Sequence, residues 1–129
     1  MSTTYTIADL AREFDLTTRA IRFYEDHGLL SPAREGQGGR SRVYSARDRT
    51  RLRLTLRGKR LGLTLSEIKG IVDMYDSPRD SAAQMQRFLE VLARQRATLE
   101  QQREDIDNAL AEISAHEEEC RLMLATAPA

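Results

Sequence analysis

A mainly α-helical fold is predicted: a small winged helix-turn-helix domain followed by one long coiled-coil helix. Three observations predict it. A Ser or Thr followed three residues later by an acid recurs at Thr6…Asp9, Ser45…Asp48, Thr64…Glu67 and Ser77…Asp80, the reciprocal capping pattern of a helix start. Gly36, Gly38 and Gly39 mark a loop, and the β-favouring pair Val43-Tyr44 on its far side suggests a small hairpin. Between Pro78 and Glu118 no further Pro or Gly interrupts the chain, and Met85, Leu92, Leu99, Ile106, Ile113 and Cys120 recur every seven residues.

The first helix is read from Thr6 to Glu13, with Ile7, Leu10 and Ala11 on one face. Asp15-Leu16 breaks it. A second helix begins near Thr17 and closes at Gly28, a left-handed cap with Leu29 packing behind it. Two short helices joined by a tight turn have the helix-turn-helix pattern. The segment from Pro32 to Tyr44 then reads as a basic wing, with Arg34, Arg40, Arg42 and Tyr44 as candidate phosphate contacts. The third helix spans Ser45 to Arg60 and is closed by Gly62. Leu52, Leu56 and Leu61 are assigned to its buried side, and Arg49, Arg53, Arg57 and Arg60 to a basic stripe. The fourth, Thr64 to Tyr75, is expected to bury Leu65, Ile68, Ile71 and Val72.

The long helix carries its own orientation signal. Reflection about Leu99 maps Leu92 onto Ile106, Met85 onto Ile113, Phe88 onto Leu110, Leu89 onto Ala109 and Arg94 onto Glu104. Two identical helices crossing antiparallel at Leu99 therefore match apolar to apolar and plus to minus. A strict seven-residue repeat also requires a partner helix. The expected dimer interface is Met85, Phe88, Leu89, Leu92, Leu99, Ile106, Leu110 and Ile113. The expected organisation is a winged helix-turn-helix domain over 1–76, a dimerisation helix over 77–119 and a short tail over 120–129.

Composition narrows the function. The net charge of zero conceals +4 over residues 1–80 and −4 over residues 81–129. Arg40 to Arg60 holds nine basic residues against one acid, Asp48, so the N-terminal part suits an anionic partner. Neither a membrane span nor a signal peptide is legible, and a single Cys excludes an internal disulfide framework. The cytoplasm is the expected compartment.

Thr17-Thr18-Arg19-Ala20-Ile21-Arg22-Phe23-Tyr24-Glu25-Asp26-His27-Gly28-Leu29-Leu30 resembles the recognition-helix signature of MerR-family transcription regulators. Arg42-Val43-Tyr44 resembles the family's wing motif Arg-x-Tyr. Leu61-Gly62-Leu63-Thr64-Leu65-Ser66-Glu67-Ile68 resembles its Leu-Gly-Phe-Ser-Leu-x-Glu-Ile. The wording Ala-Arg-Glu-Phe-Asp, Ser-Pro-Ala-Arg-Glu-Gly-Gln and Leu-Arg-Gly-Lys-Arg-Leu-Gly is similar to the LiuR-like subgroup, associated with leucine, isovalerate and acyl-CoA catabolism. The resemblance implies a homodimer on an inverted-repeat promoter operator, which it bends and untwists, with RNA polymerase as a further partner.

Carried over by position, the resemblance implies that Arg19 and Arg22 enter the major groove, with Thr17 and Thr18 at the start of the helix. Tyr24 matches a phosphate-contacting tyrosine, and Phe23 packs or contacts beside it. In the wing Arg42 and Tyr44 match, while Ser41 stands where many members carry Tyr. With Arg40, Arg57 and Arg60 as backbone candidates, these residues form the expected DNA-binding set. No cofactor or metal is expected: His116 and Cys120 are two ligands, too few for a tetrahedral zinc site. No catalytic constellation is legible, so an enzyme is not expected. A small-molecule effector, if one exists, is not identified by the sequence. The alternative class is a coiled-coil adaptor whose basic half binds RNA or acidic proteins.

Overall fold

The computed structural model describes residues 3–39, 41–76 and 82–128. The chain divides into two units, Met1–Phe88 and Leu89–Ala129. In the first, β1 (Thr4–Tyr5) precedes α1 (Ile7–Phe14) and α2 (Thr18–Asp26). The wing strands β2 (Ala33–Glu35) and β3 (Ser41–Ser45) follow, then α3 (Ala46–Arg60) and α4 (Leu65–Asp76). The last helix, α5 (Ala82–Thr126), begins in this unit and accounts for nearly all of the second.

The capping signals are realised atom by atom. Thr6 Oγ1 accepts from the Asp9 amide at 3.0 Å, and Asp9 accepts from the Thr6 amide at 3.0 Å. Ser45 and Asp48 form the same box at α3, and Thr64 and Glu67 at α4. The expected box at Ser77…Asp80 lies outside the described residues. Helix α2 starts without an acid at its third position, so only Thr17 Oγ1 caps it, accepting from Ala20 at 3.1 Å.

Both helix ends predicted from glycine are of the Schellman type. Past α2, Gly28 (φ 78°) directs the Leu29 amide back to the Tyr24 carbonyl at 3.0 Å. Past α3, Gly62 (φ 82°) directs the Leu63 amide to the Gly58 carbonyl at 3.2 Å. The residue after each glycine, Leu29 and Leu63, is thereby driven into the core.

The sheet has order β1-β3-β2 and is antiparallel throughout. Tyr5 pairs with Tyr44, and Arg34 stands directly opposite Arg42. Strand β1 is an addition to the expected hairpin; two residues are too few to leave a period-two signature. The core comprises Leu10, Ile21, Tyr24, Leu29, Leu30, Tyr44, Leu52, Leu63, Ile68 and Val72.

The buried face of α3 differs from the sequence reading. Arg51, Leu52, Thr55 and Gly58 face inward, Leu56 is half-buried and Leu61 is exposed. The reason is the partner helix: Gly58 gives α4 room to approach, and a Cβ there would lie 2.8 Å from Ile68 Cγ1. Of the four apolar residues expected inside α4, Ile68 and Val72 are buried while Leu65 and Ile71 are half-buried.

Helix α5 also exceeds its expected end at Glu119, because Cys120 to Thr126 contains only residues that tolerate a helix and the next proline is Pro128. Among its described residues none is buried. In the first unit Phe88 is half-buried, its ring packing beside Gly70 of α4. In the second unit Leu89, Leu92, Leu99, Ile106, Leu110 and Ile113 are 42–60% exposed. No helix of the described residues is long and apolar enough to cross a membrane.

Candidate nucleic-acid interface

Helix α2 sorts its side chains by turn. Ile21 and Tyr24 point inward, and Arg19, Arg22 and Phe23 point outward. Arg19 and Arg22 are three apart and share the exposed face, next to the N-terminus capped by Thr17. Thr18 is half-buried beside them. Two guanidiniums on a helix start suit the acceptor pair on the major-groove edge of guanine.

Phe23 is 47% exposed, and its ring lies against His27, with centroids 4.2 Å apart. His27 Nδ1 lies 2.8 Å from the Phe23 carbonyl oxygen. An aromatic pair held at the surface offers an apolar face beside the two arginines.

The tyrosines of the recognition motif and the wing lie largely inside the domain. Tyr24 is only 4% exposed and Tyr44 is fully buried. Tyr24 falls one helical turn after Ile21 on the inward face, and Tyr44 points into the core from β3. Tyr44 donates its hydroxyl to Glu25 Oε2 at 3.3 Å. Burial first, then the negative charge of Glu25, push its phenol up to about 12, so it remains a donor at neutral pH. It thus forms part of the framework of the wing.

The basic residues divide in the same way. Arg42, 23% exposed, gives its Nε to Glu25 Oε2 at 2.8 Å, and Arg34 gives Nη2 to Oε1 at 3.2 Å. Arg49 grips Glu13 of α1 with both ends of its guanidinium, and Arg53 lies 3.9 Å from the same carboxylate. Those hydrogen bonds, ahead of desolvation, raise Arg49 and lower Glu13. The predicted stripe is therefore partly spent inside the domain. Arg57 and Arg60 are exposed, as is Lys59, whose Nζ lies 5.7 Å from the centre of the Tyr24 ring. That contact brings the end of α3 beside the recognition helix. Arg40 lies outside the described residues.

Arg51 is the one arginine of α3 that is buried. Its Nε donates to the Leu29 carbonyl at 2.6 Å and its Nη2 to Asp73 of α4 at 2.8 Å. Burial raises the Asp73 carboxyl, but hydrogen bonds from Lys69 and Arg51 outweigh it and hold the group below the usual aspartate range. The turn after α2 is thus tied to α3 and α4. Sequence reading missed Glu25, Lys59 and Arg51 as organisers, since nothing in their spacing distinguishes them from neighbouring surface charges.

A capped, arginine-bearing helix followed by a small antiparallel wing places the N-terminal unit in the winged helix-turn-helix fold class. Residues 5–75 match the model of the MerR HTH family regulatory protein, and residues 49–116 match the model of the MerR DNA-binding region. The chain belongs to the MerR family.

It is 34% identical over 88 residues to the HTH-type transcriptional regulator CueR of Salmonella typhi, a match covering 67% of this chain and 63% of that one. It is 30% identical over 116 residues to a "Probable heavy metal-dependent transcriptional regulator" of Haemophilus influenzae, covering 89% and 87%. The crystal structure of a MerR-family regulator from Bacillus cereus superimposes with a TM-score of 0.71 at 28% identity, covering 98% and 87%.

Proposed function

We propose that the chain acts as a homodimer on an inverted-repeat promoter operator. Helix α2 reads bases in the major groove, and the wing with the end of α3 grips the flanking backbone. The observation that carries this reading is the pair Arg19 and Arg22, exposed together on the capped start of α2, with Lys59 beside it across Tyr24. Bending and untwisting the site costs several kcal/mol, which backbone contacts offset. RNA polymerase at the same promoter is the further partner.

The apolar stripe on α5 supports dimerisation. A 45-residue helix with no buried residue among those described gains too little from propensity alone, whereas a second copy covers Leu92, Leu99 and Ile106. The mirror about Leu99 makes that pairing antiparallel. Leu92→Cys with Ile106→Cys should give mixed 92–106 crosslinks between protomers; only 92–92 and 106–106 crosslinks would require parallel helices.

The wording shared with the LiuR-like subgroup supports leucine, isovalerate or acyl-CoA catabolism as the regulated pathway. Genome-wide mapping of bound DNA tests this and yields the operator. Heavy-metal dependence is not part of the reading, because His116 and Cys120 supply two ligands where a tetrahedral zinc site takes four.

Titration on operator and random duplex tests the DNA reading. Arg22→Ala should cost about 1–3 kcal/mol on operator and little on random duplex. Arg60→Ala should weaken both and reduce the salt slope by about one. Equal losses on the two duplexes for Arg22→Ala would remove it from base reading.

A further inference from the structure

We propose that Glu25 is the positioning residue that locks the wing to the recognition helix. The proposal rests on the DNA-binding reading above and adds a residue to it. Glu25 lies on α2, three residues after Arg22, and its side chain is 13% exposed. It accepts from three wing side chains: Arg34 of β2 at 3.2 Å, Arg42 of β3 at 2.8 Å and Tyr44 of β3 at 3.3 Å.

The wing needs such an anchor. Arg34 and Arg42 are cross-strand partners, and two like charges directly opposite one another oppose strand pairing. The Glu25 carboxylate between them turns that repulsion into a bridge. None of the three residues of β2 is buried, so packing contributes little to holding this strand. The turn beyond it contains Gly36, Gly38 and Gly39, all with positive φ and little intrinsic stiffness. A three-residue strand of this kind is marginal by itself. Electrostatic attachment to α2 is what aims it, and the same helix carries Arg19 and Arg22. One carboxylate thus sets the distance and angle between groove reader and wing.

The sign of the effect separates this role from simple charge. Removing a carboxylate near DNA should strengthen binding to an anionic duplex if Glu25 acts only through the field. As a positioning residue its loss should weaken operator binding, because the wing is no longer held where the backbone passes.

The test is Glu25→Gln in the full-length protein, read in two ways. Amide hydrogen exchange of the free protein should accelerate at residues 41–45 while α4 is unchanged. Operator affinity at physiological salt should fall about tenfold, as for one lost charge-assisted contact, with loss of the outermost backbone protection in a hydroxyl-radical footprint. Tyr44→Phe keeps the buried ring and removes one donor, so it should show the same acceleration in smaller degree even if Glu25→Gln folds poorly. Unchanged wing exchange in both variants, or operator binding that equals or exceeds the parent's with an intact footprint, would overturn the proposal. If the parent itself gave no discrete footprint on any duplex, the DNA-binding reading would have failed instead. The exchange measurement on free protein would then decide the positioning role alone.

Discussion

Asp48 is the single acid within the basic stretch from Arg40 to Arg60, and its replacement by Ala should be far more damaging than a helix cap normally is. The side chain is almost fully buried. Its Oδ2 accepts from the Ser45 amide at 3.0 Å and the Ser45 hydroxyl at 3.2 Å, closing the capping box of α3. Its Oδ1 accepts from the amide of Ser31 at 3.0 Å, seventeen residues earlier. Loss of the cap is worth about 1 kcal/mol. Losing the part-buried Ser31–Asp48 bond adds about 1–3 kcal/mol, since its acceptor is charged. The sum is about 2–4 kcal/mol, or a fall of roughly 8–30 °C in Tm at 4–8 °C per kcal/mol for a domain of this size.

The control is Asp9→Ala, which opens the equivalent box on α1 at an exposed site with no long-range acceptor role. Urea unfolding followed by circular dichroism, at one fixed protein concentration so that association does not shift the midpoint, measures both. Asp48→Ala should unfold at clearly lower urea than Asp9→Ala. Equal midpoints would mean that the Ser31 bond contributes nothing and that counting capped and bridged amides is the wrong arithmetic.

Gly58→Ala should lower Tm although Ala favours a helix by about 1 kcal/mol. The new Cβ meets buried Ile68 at 2.8 Å, and overpacking costs about 1–3 kcal/mol; a raised Tm would refute this account of the α3–α4 contact. The native carboxyls of Asp9, Glu13 and Asp73 are held below their ordinary values, so their contribution is present above about pH 4 and lost as pH falls through the native values. Asp73→Asn should accordingly be less stable than the parent at pH 7 and converge with it as pH falls through the lowered native value, and a constant difference in urea midpoint would contradict the assignment. Zinc or copper(I) should change operator affinity by less than about threefold, under ~0.7 kcal/mol. Tight zinc binding in equilibrium dialysis that disappears in Cys120→Ser would defeat this.

The helices of this protein were legible because their ends are encoded locally. Thr6 with Asp9, Ser45 with Asp48 and Thr64 with Glu67 satisfy amides within one turn, and Gly28 and Gly62 close helices through bonds spanning five residues. Such signals survive without tertiary context, as does the seven-residue repeat of α5. The outward Arg19 and Arg22 followed from the resemblance of their motif. What the sequence could not decide is which charges are spent within the domain. Arg42, Arg49 and Arg60 look alike in a list of basic residues. Glu25 engages the first, Glu13 engages the second, and the third is exposed to solvent. The buried face of α3 depended in the same way on Ile68 finding Gly58, and the burial of Tyr44 on β3 directing its side chain into the core. Local hydrogen bonds are set by neighbours in the chain, whereas the fate of a long charged side chain is set by whatever opposite charge the folded backbone brings within about 4 Å.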